Sequence, residues 1–439
     1  MTSTIFEPLR LGPLTVKNRV LRSSVAGRFD NYDGSGTEVR ITWDVKFARG
    51  GVGAIISSNA PIHEHGHIVP GYAYLDSDAT IPFWRELGKR VHAHDCPYIV
   101  QLVWAGRERI MPGLRYDAAL GATDDPEPVN GFPTKSMTHA DIRAVADRFA
   151  QAARRACEAG LDGVELAGAN GMIFTQFLSP AINKRKDEYG GSLENRARFA
   201  LEVVRAIRAE VGRDFCLGFK VSVDEAPREL LPWMRRGNKV EDVVQVCRWL
   251  EEAGVDYLHV SVGGAFPHPR NPAGGFPVDA AVKTYDTLLS SGRHTLRNYV
   301  TFRTWPLHRG FRWWWERPAR KRPIEGINLP ESRALKRAVS IPVLCTGGFQ
   351  TASAIAAAIE RGDCDAVTVA RPLVANPDLV NMFAAGLDRA PRPCTYCNRC
   401  VFNFLENPLG CYEPARYDSR EEMLAEILSV YRDEEPAAA

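Results

Sequence analysis

Short apolar segments recur along the chain, separated by longer stretches in which hydrophobic and polar residues interleave. VLRSSV at 20–25, AIISS at 54–58, YIVQLV at 98–103 and GVELA at 163–167 are followed by CLGFKV at 216–221, YLHVSV at 257–262, PVLCTG at 342–347 and AVTVA at 366–370. Runs this short and this continuously apolar read as strands buried on both faces. Between them, residues 138–158 (THADIRAVADRFAQAARRACE), 193–211 (LENRARFALEVVRAIRAEV) and 351–360 carry the periodicity of amphipathic helices.

Strand and helix alternating eight times predict the α/β class and a (β/α)8 TIM barrel with insertions. In such a barrel the site lies at the C-terminal ends of the strands. An open doubly wound sheet is the alternative. The first strand is not followed by G-x-G-x-x-G, which counts against it.

Two long connections interrupt the pattern, at 224–239 and 263–340. The second contains RHTLRNYVTFRTWPLHRGFRWWWERPARKRP, where basic residues alternate with tryptophans and other aromatics too irregularly for one amphipathic helix. A connection of this length is a lid, a binding surface or a disordered loop. A subunit contact or packed lid is the plain reading; a phosphate-bearing substrate tail, an acidic partner and an anionic lipid surface are the others.

Composition narrows the class. With 439 residues, 45% hydrophobic and 25% charged, the chain is an ordinary globular protein able to bury a large core. A net charge of +2 gives no global field for nucleic acid. The start, MTSTIFEPLRLGPL, lacks the charge-then-apolar order of a signal peptide, and no uninterrupted apolar run is long enough for a transmembrane segment. A cytoplasmic protein is expected. Six cysteines, Cys96, Cys157, Cys216, Cys247, Cys345 and Cys364, are scattered as buried thiols would be.

The other four are not scattered. Cys394, Cys397 and Cys400 form C-x2-C-x2-C, and Cys411 follows eleven positions on. Thiolates this close repel one another and invite oxidation unless something binds them, and the spacing is that of the opening half of an iron-sulfur run. A [4Fe-4S] cluster explains them best; structural zinc and unligated thiols are the alternatives. The expected division is 1–385 for the barrel with its insertion and 386–439 for a cysteine-rich iron-sulfur extension, ending in a short amphipathic helix and an acidic, disordered tail.

The stretch QFLSPAINKRKDEYGGSLENRARF, Gln176 to Phe199, is dense in opposed charges; Gly190 and Gly191 permit a turn and Ser192 caps the next helix. Together with KNRVLRSSV, GGVGAIISS, QLVWAGR, CTGGF and ARPLVANPDL it resembles the old yellow enzyme family of NADH:flavin oxidoreductases, over nearly the whole chain. The four-cysteine segment is similar to that of the branch with 2,4-dienoyl-CoA reductase and trimethylamine dehydrogenase. That resemblance implies FMN in the barrel, a [4Fe-4S] cluster beside it and a flavin-dependent oxidoreductase. Those proteins usually continue into a nucleotide-binding region, of which residues 1–439 hold no counterpart.

On this resemblance, Gly347 and Gly348 turn backbone N–H groups toward the FMN phosphate and Arg371, after Ala370, adds a bidentate contact. Gln101 meets the edge of the ring, and Lys220 places a cation where reduced flavin gathers negative charge. Ser23, Ser24, Val25 and Ser57 line the ring. The substrate pair departs from the family pattern: ELAGANGMIF puts Ala167 at the histidine position, Asn170 at its partner and Met172 where tyrosine is expected. Substitutes are His268, Trp104 and the His63, His65, His67 cluster, with His268 and Asn170 taken as the catalytic pair. The cluster reads as a solvent-facing loop rather than a metal site.

The expected reaction passes two electrons between flavin and a small-molecule substrate. Reduction of an activated enoyl- or dienoyl-type bond is one direction, and oxidation of an amine is the other. A non-catalytic electron-transfer subunit is the rival. NAD(P)H or an external electron-transfer protein is the expected redox partner, and a homo-oligomer is expected.

Overall fold

The computed structural model describes residues 3–25, 27–112, 115–230 and 235–432. Eight parallel strands close into a barrel: β1 (Val20–Arg22), β2 (Ile55–Pro61), β3 (Tyr98–Val103), β4 (Gly163–Gly168), β5 (Cys216–Asp224), β6 (Tyr257–Val262), β7 (Val343–Thr346) and β8 (Ala366–Val369). Each pairs with the next in sequence. Val367 of β8 lies opposite Val20 of β1 and completes the ring. Every residue of β3, β4 and β6 is buried, because one face packs into the barrel and the other under helices.

The helical stripes fall where the periodicity places them. His139–Glu158 buries Ile142, Val145, Phe149 and Ala153, and Leu193–Val211 buries Phe199, Val203 and Ile207. The first starts on a capping box between Thr138 and Asp141, the second on the Ser192 hydroxyl, which accepts from Asn195 N–H. Phe174 stacks between Phe149, Phe199 and Phe219, with centroids 5.1–5.4 Å away.

One end of the barrel is plugged. The hairpin Leu9–Leu11 and Leu14–Val16 buries Leu11 and Val16 against Leu21, Ile56, Ile99 and Leu344 near the strand starts. This leaves the opposite, C-terminal rim for a site.

The 263–340 connection is largely helical: Val278–Leu288, Thr295–Arg303, Leu307–Trp315, Arg317–Lys321 and Leu329–Lys336. The irregular pattern arises because several short helices follow one another, with Pro306 and Pro318 at the starts of two of them. Phe276 gathers Phe302, Phe311, Trp315 and Phe402 within 4.8–5.4 Å, so the insertion docks onto the cysteine segment. Residues 231–234 of the other long connection, and the acidic end at 433–439, lie outside the described residues. Among those described, no helix is long and apolar enough to cross a membrane.

Candidate active site

Two adjoining cavities occupy the C-terminal rim and share Ser24, Asn170, Lys220, Phe266, Val401 and Phe404. The first brings together Ser23, Ser24, Val25, Lys220, Gly347, Gly348, Ala370 and Arg371, eight of the ten residues expected around FMN. Gln101 lines the second. Ser57 lines neither: its hydroxyl accepts from Gln101 N–H at 2.9 Å and donates to Ser58 O at 2.6 Å, bracing β2 against β3.

Lys220 was expected at the end of its strand, but β5 runs on to Asp224, so its ammonium is held inside the barrel mouth. It is 6% exposed and makes no hydrogen bond or close ion pair among the described residues. Burial lowers its pKa, and Glu165 opposes that. Glu165 itself accepts from Gln101 Nε2 at 2.6 Å, Tyr257 OH at 3.0 Å and His259 Nδ1 at 2.9 Å. Burial acts to raise this carboxyl, yet His259 and Lys220 outweigh it and hold it below the usual range. His259 Nε2 lies 2.6 Å and 2.7 Å from the Thr346 and Thr368 hydroxyls; burial lowers this imidazole's pKa against the pull of Glu165, and its Nδ1–H donates to that carboxylate.

Further residues of the first cavity come from the loops after β7 and β8. Gly348 has φ +70°, and a Cβ there would meet Ile324 Cγ2 and O at 2.9 Å. The carboxamide oxygen of Asn328, lining the same cavity, is buried without a hydrogen-bond partner and so calls for a donor group of a ligand rather than an anion. Arg371 Nη1 donates to Ala273 O at 2.7 Å and Asn398 Oδ1 at 2.5 Å, which fixes the guanidinium at the cavity edge.

Asn170, Ala167 and Met172 line the second cavity. Asn170 sits at φ +61°, with its side-chain oxygen accepting from Asn271 Nδ2 at 2.6 Å and Ser261 Oγ at 3.1 Å. Its Nδ2 hydrogens are thereby left for the cavity. His268 is not brought there. It is fully buried under its own loop, donating from Nε2 to Ala226 O at 3.1 Å and accepting Arg270 N–H at Nδ1, with burial pushing it down to about 4. Trp104 lines neither cavity and donates to Leu120 O at 2.8 Å.

The HEHGH segment also differs from its expected solvent-facing form. His65 stacks on Tyr116 at 4.1 Å, and His67 is buried with Nδ1 3.2 Å from the Tyr74 hydroxyl. His63 shares Trp104 and Tyr116 with His65 and accepts its backbone N–H at Nδ1, 3.1 Å away, whereas His67 turns to Tyr74.

Cys400 lines the first cavity, so the cysteine segment borders the residues described above. Cys394 and Cys411 are buried and Cys397 and Cys400 half-buried. Burial pushes the Cys397 thiol up to about 11; burial and the neighbouring cysteines raise Cys400 further. Burial also raises Cys394, opposed by Arg371. Such thiols form stable thiolates only around a bound cation.

Glu165, His259, Tyr72 and Glu108 were missed in the sequence. For the first two the signal is present: a carboxylate within GVELA and an imidazole within YLHVSV are ionisable groups inside strands that are otherwise apolar.

Residues 4–288, more than half of the chain, match the NADH:flavin oxidoreductase / NADH oxidase family. The chain belongs to this family. Residues 316–424 match the dihydrouridine synthase family (Dus); the stretch holds β7 and β8 and so falls on the same barrel. Among relatives, an NADH oxidase of Thermoanaerobacter brockii is 31% identical over 90% of this chain and 52% of its own length. An N,N-dimethylglycine/sarcosine dehydrogenase of Chromohalobacter salexigens is 28% identical over 90% and 50%. The chain thus spans about half the length of these family members. In fold it is similar to a 2-naphthoyl-CoA reductase complex, with TM-score 0.76 and 23% identity over 94% of this chain and 57% of that one.

Proposed function

We propose that the chain holds FMN in the first cavity and a [4Fe-4S] cluster at Cys394, Cys397, Cys400 and Cys411, and reduces an activated carbon–carbon double bond of a small substrate in the second. Residues 1–385 form the flavin unit and 386–439 the cluster unit. The observation that carries this reading is Lys220, a buried cation that lines both cavities, with Gly348 and Arg371 lining the first of them.

FMN, when bound, would supply two-electron chemistry. The chain's residues position and stabilise it. Gly347, Gly348 and Arg371 hold the phosphate, Lys220 balances the negative charge of the reduced ring, and Asn170 Nδ2 orients the substrate. Cluster rather than zinc is supported by the spread of the thiols. No three metal-ligating atoms from these cysteines lie within 4.8 Å of one another among the described residues. Zinc, with bonds of about 2.3 Å, needs sulfurs within roughly 4 Å.

A third cavity, lined by Arg270, Arg317, Lys321, Arg322 and Glu229, shares Arg270 and Ile327 with the first. Its positive majority suits a substrate with an anionic tail such as a CoA thioester. The relative that is an NADH oxidase supports NADH as electron donor. Mixing the FMN- and iron-loaded protein anaerobically with NADH and NADPH tests the reading. Flavin bleaching that an added enone reverses is expected. Failure with both nucleotides, but reduction by a protein partner, favours an electron-transfer subunit.

A second reading, amine oxidation, is favoured by the apolar Ala167 and Met172 and by the dehydrogenase relative. Bleaching by N,N-dimethylglycine without nucleotide would select it.

A further inference from the structure

The second cavity is walled mainly by apolar groups, among them Ile68, Ile110, Val129, Ala167 and Met172. Two polar atoms on residues of that wall make no hydrogen bond. The Tyr72 hydroxyl and Glu108 Oε1 are both buried and unbonded, on side chains 1% and 2% exposed. An unsatisfied buried polar group costs on the order of 1–3 kcal/mol, so two on one cavity are expected only where a ligand or water takes them up.

Both come from the rim that carries the site. Tyr72 follows β2, and Glu108 follows β3. The Glu108 carboxyl rests against Gly171, where a Cβ would lie 2.5 Å from Oε1; it therefore stands beside Asn170.

We propose that Tyr72 and Glu108 form the polar end of the substrate cavity and together donate hydrogen bonds to the carbonyl oxygen of an unsaturated ketone, ester or thioester. They supply from β2 and β3 what Ala167 and Met172 no longer supply from β4. This rests on the reductase reading and names its substrate class.

The charges around Glu108 set its role. Arg107 Nε lies 3.7 Å from its Oε1, Glu127 is the second carboxyl near that guanidinium, and Lys220 lines the same cavity. Glu127 accepts backbone N–H groups from Val129, Asn130 and Gly131, whereas Glu108 accepts one, from Phe266 at 3.2 Å. One guanidinium between two buried carboxyls leaves Glu108, the less solvated, as the one that keeps a proton. Burial pushes it up to about 8 against the pull of Arg107. Tyr72 faces Arg28, Arg40 and Asp30, and burial raises its phenol well above the usual range. At neutral pH both are donors. An ammonium ion offers them no lone pair, and Lys220 and Arg107 repel it.

The test uses oxidised, FMN-loaded protein without reductant and two probes on one carbon frame, benzylideneacetone and cinnamylammonium, titrated by calorimetry. The ketone should bind more tightly, and lose affinity as pH rises through about 8. Tyr72→Phe and Glu108→Ala should each weaken it about five- to tenfold. Glu108→Gln, which keeps a donor, should cost less and remove the pH dependence. FMN content and melting temperature identify a variant that has failed to fold, and the conservative Tyr72→Phe and Glu108→Gln then decide. Ketone affinity indifferent to both residues, no ketone binding, or tighter ammonium binding lost in Glu108→Gln overturns the proposal. Ketone binding that depends on both residues without NADH-driven reduction keeps the subsite and removes the reductase reading; reduction indifferent to them does the reverse.

Discussion

Glu165 Oε2 stands 2.9 Å from His259 Nδ1, both side chains fully buried, and His259 lies in register with Lys220 on the neighbouring strand. The pair ties the barrel interior to the cation at its mouth. Glu165→Gln removes the carboxylate that opposes the burial of Lys220 and disturbs the hydrogen bonds from Gln101, Tyr257 and His259; it should destabilise the fold by about 1–3 kcal/mol, the cost of leaving buried polar groups unmatched. Urea unfolding measures it. A loss below about 1 kcal/mol would show that Lys220 finds its balance elsewhere.

Arg371→Ala should weaken FMN retention by about 1.5–3 kcal/mol, the range for a hydrogen bond to a charged group. Gly348→Ala should also lose flavin, since the new methyl must meet Ile324 at a positive φ. Equilibrium dialysis of flavin checks both. Unchanged affinity in Arg371→Ala would remove that residue from the phosphate site.

Cys397→Ser should abolish the iron-linked visible absorbance and the iron and sulfide content while part of the FMN stays bound. Metal analysis of an anaerobic preparation reads the outcome. Full zinc occupancy with no sulfide would overturn the cluster assignment.

His268 makes stability pH-dependent. Its folded-state pKa of about 4 lies below the 6.5 of an unperturbed histidine, so the unfolded chain binds the extra proton first. The stabilisation is full above pH 6.5 and is lost as pH falls toward 4, by about 3 kcal/mol from this residue. Protonation would set an Nδ1–H against the Arg270 N–H it now accepts. His268→Asn should be less stable at neutral pH, show a shallower acid dependence in urea unfolding, and retain FMN.

Much of the architecture was legible because each strand is buried on both faces. CLGFKV and YLHVSV announce barrel strands wherever they end up, and the helices beside them carry stripes that have only one place to pack. Gly347, Gly348 and Arg371 were legible for the same reason: residues just beyond a barrel strand must lie at the C-terminal rim. His268 satisfies that rule too, yet its ring turns under its own loop and bonds both nitrogens.

By itself, then, the sequence determined the barrel, the rim that holds the site and the four thiols in one short segment, since these follow from periodicity and spacing along the chain. Only the tertiary structure decided that Lys220 is buried beside His259 and under the influence of Glu165, and that Tyr72 and Glu108 line one cavity. Those groups come from different strands and loops, and which side chain finds a partner is settled by packing across the barrel rather than by neighbours in sequence.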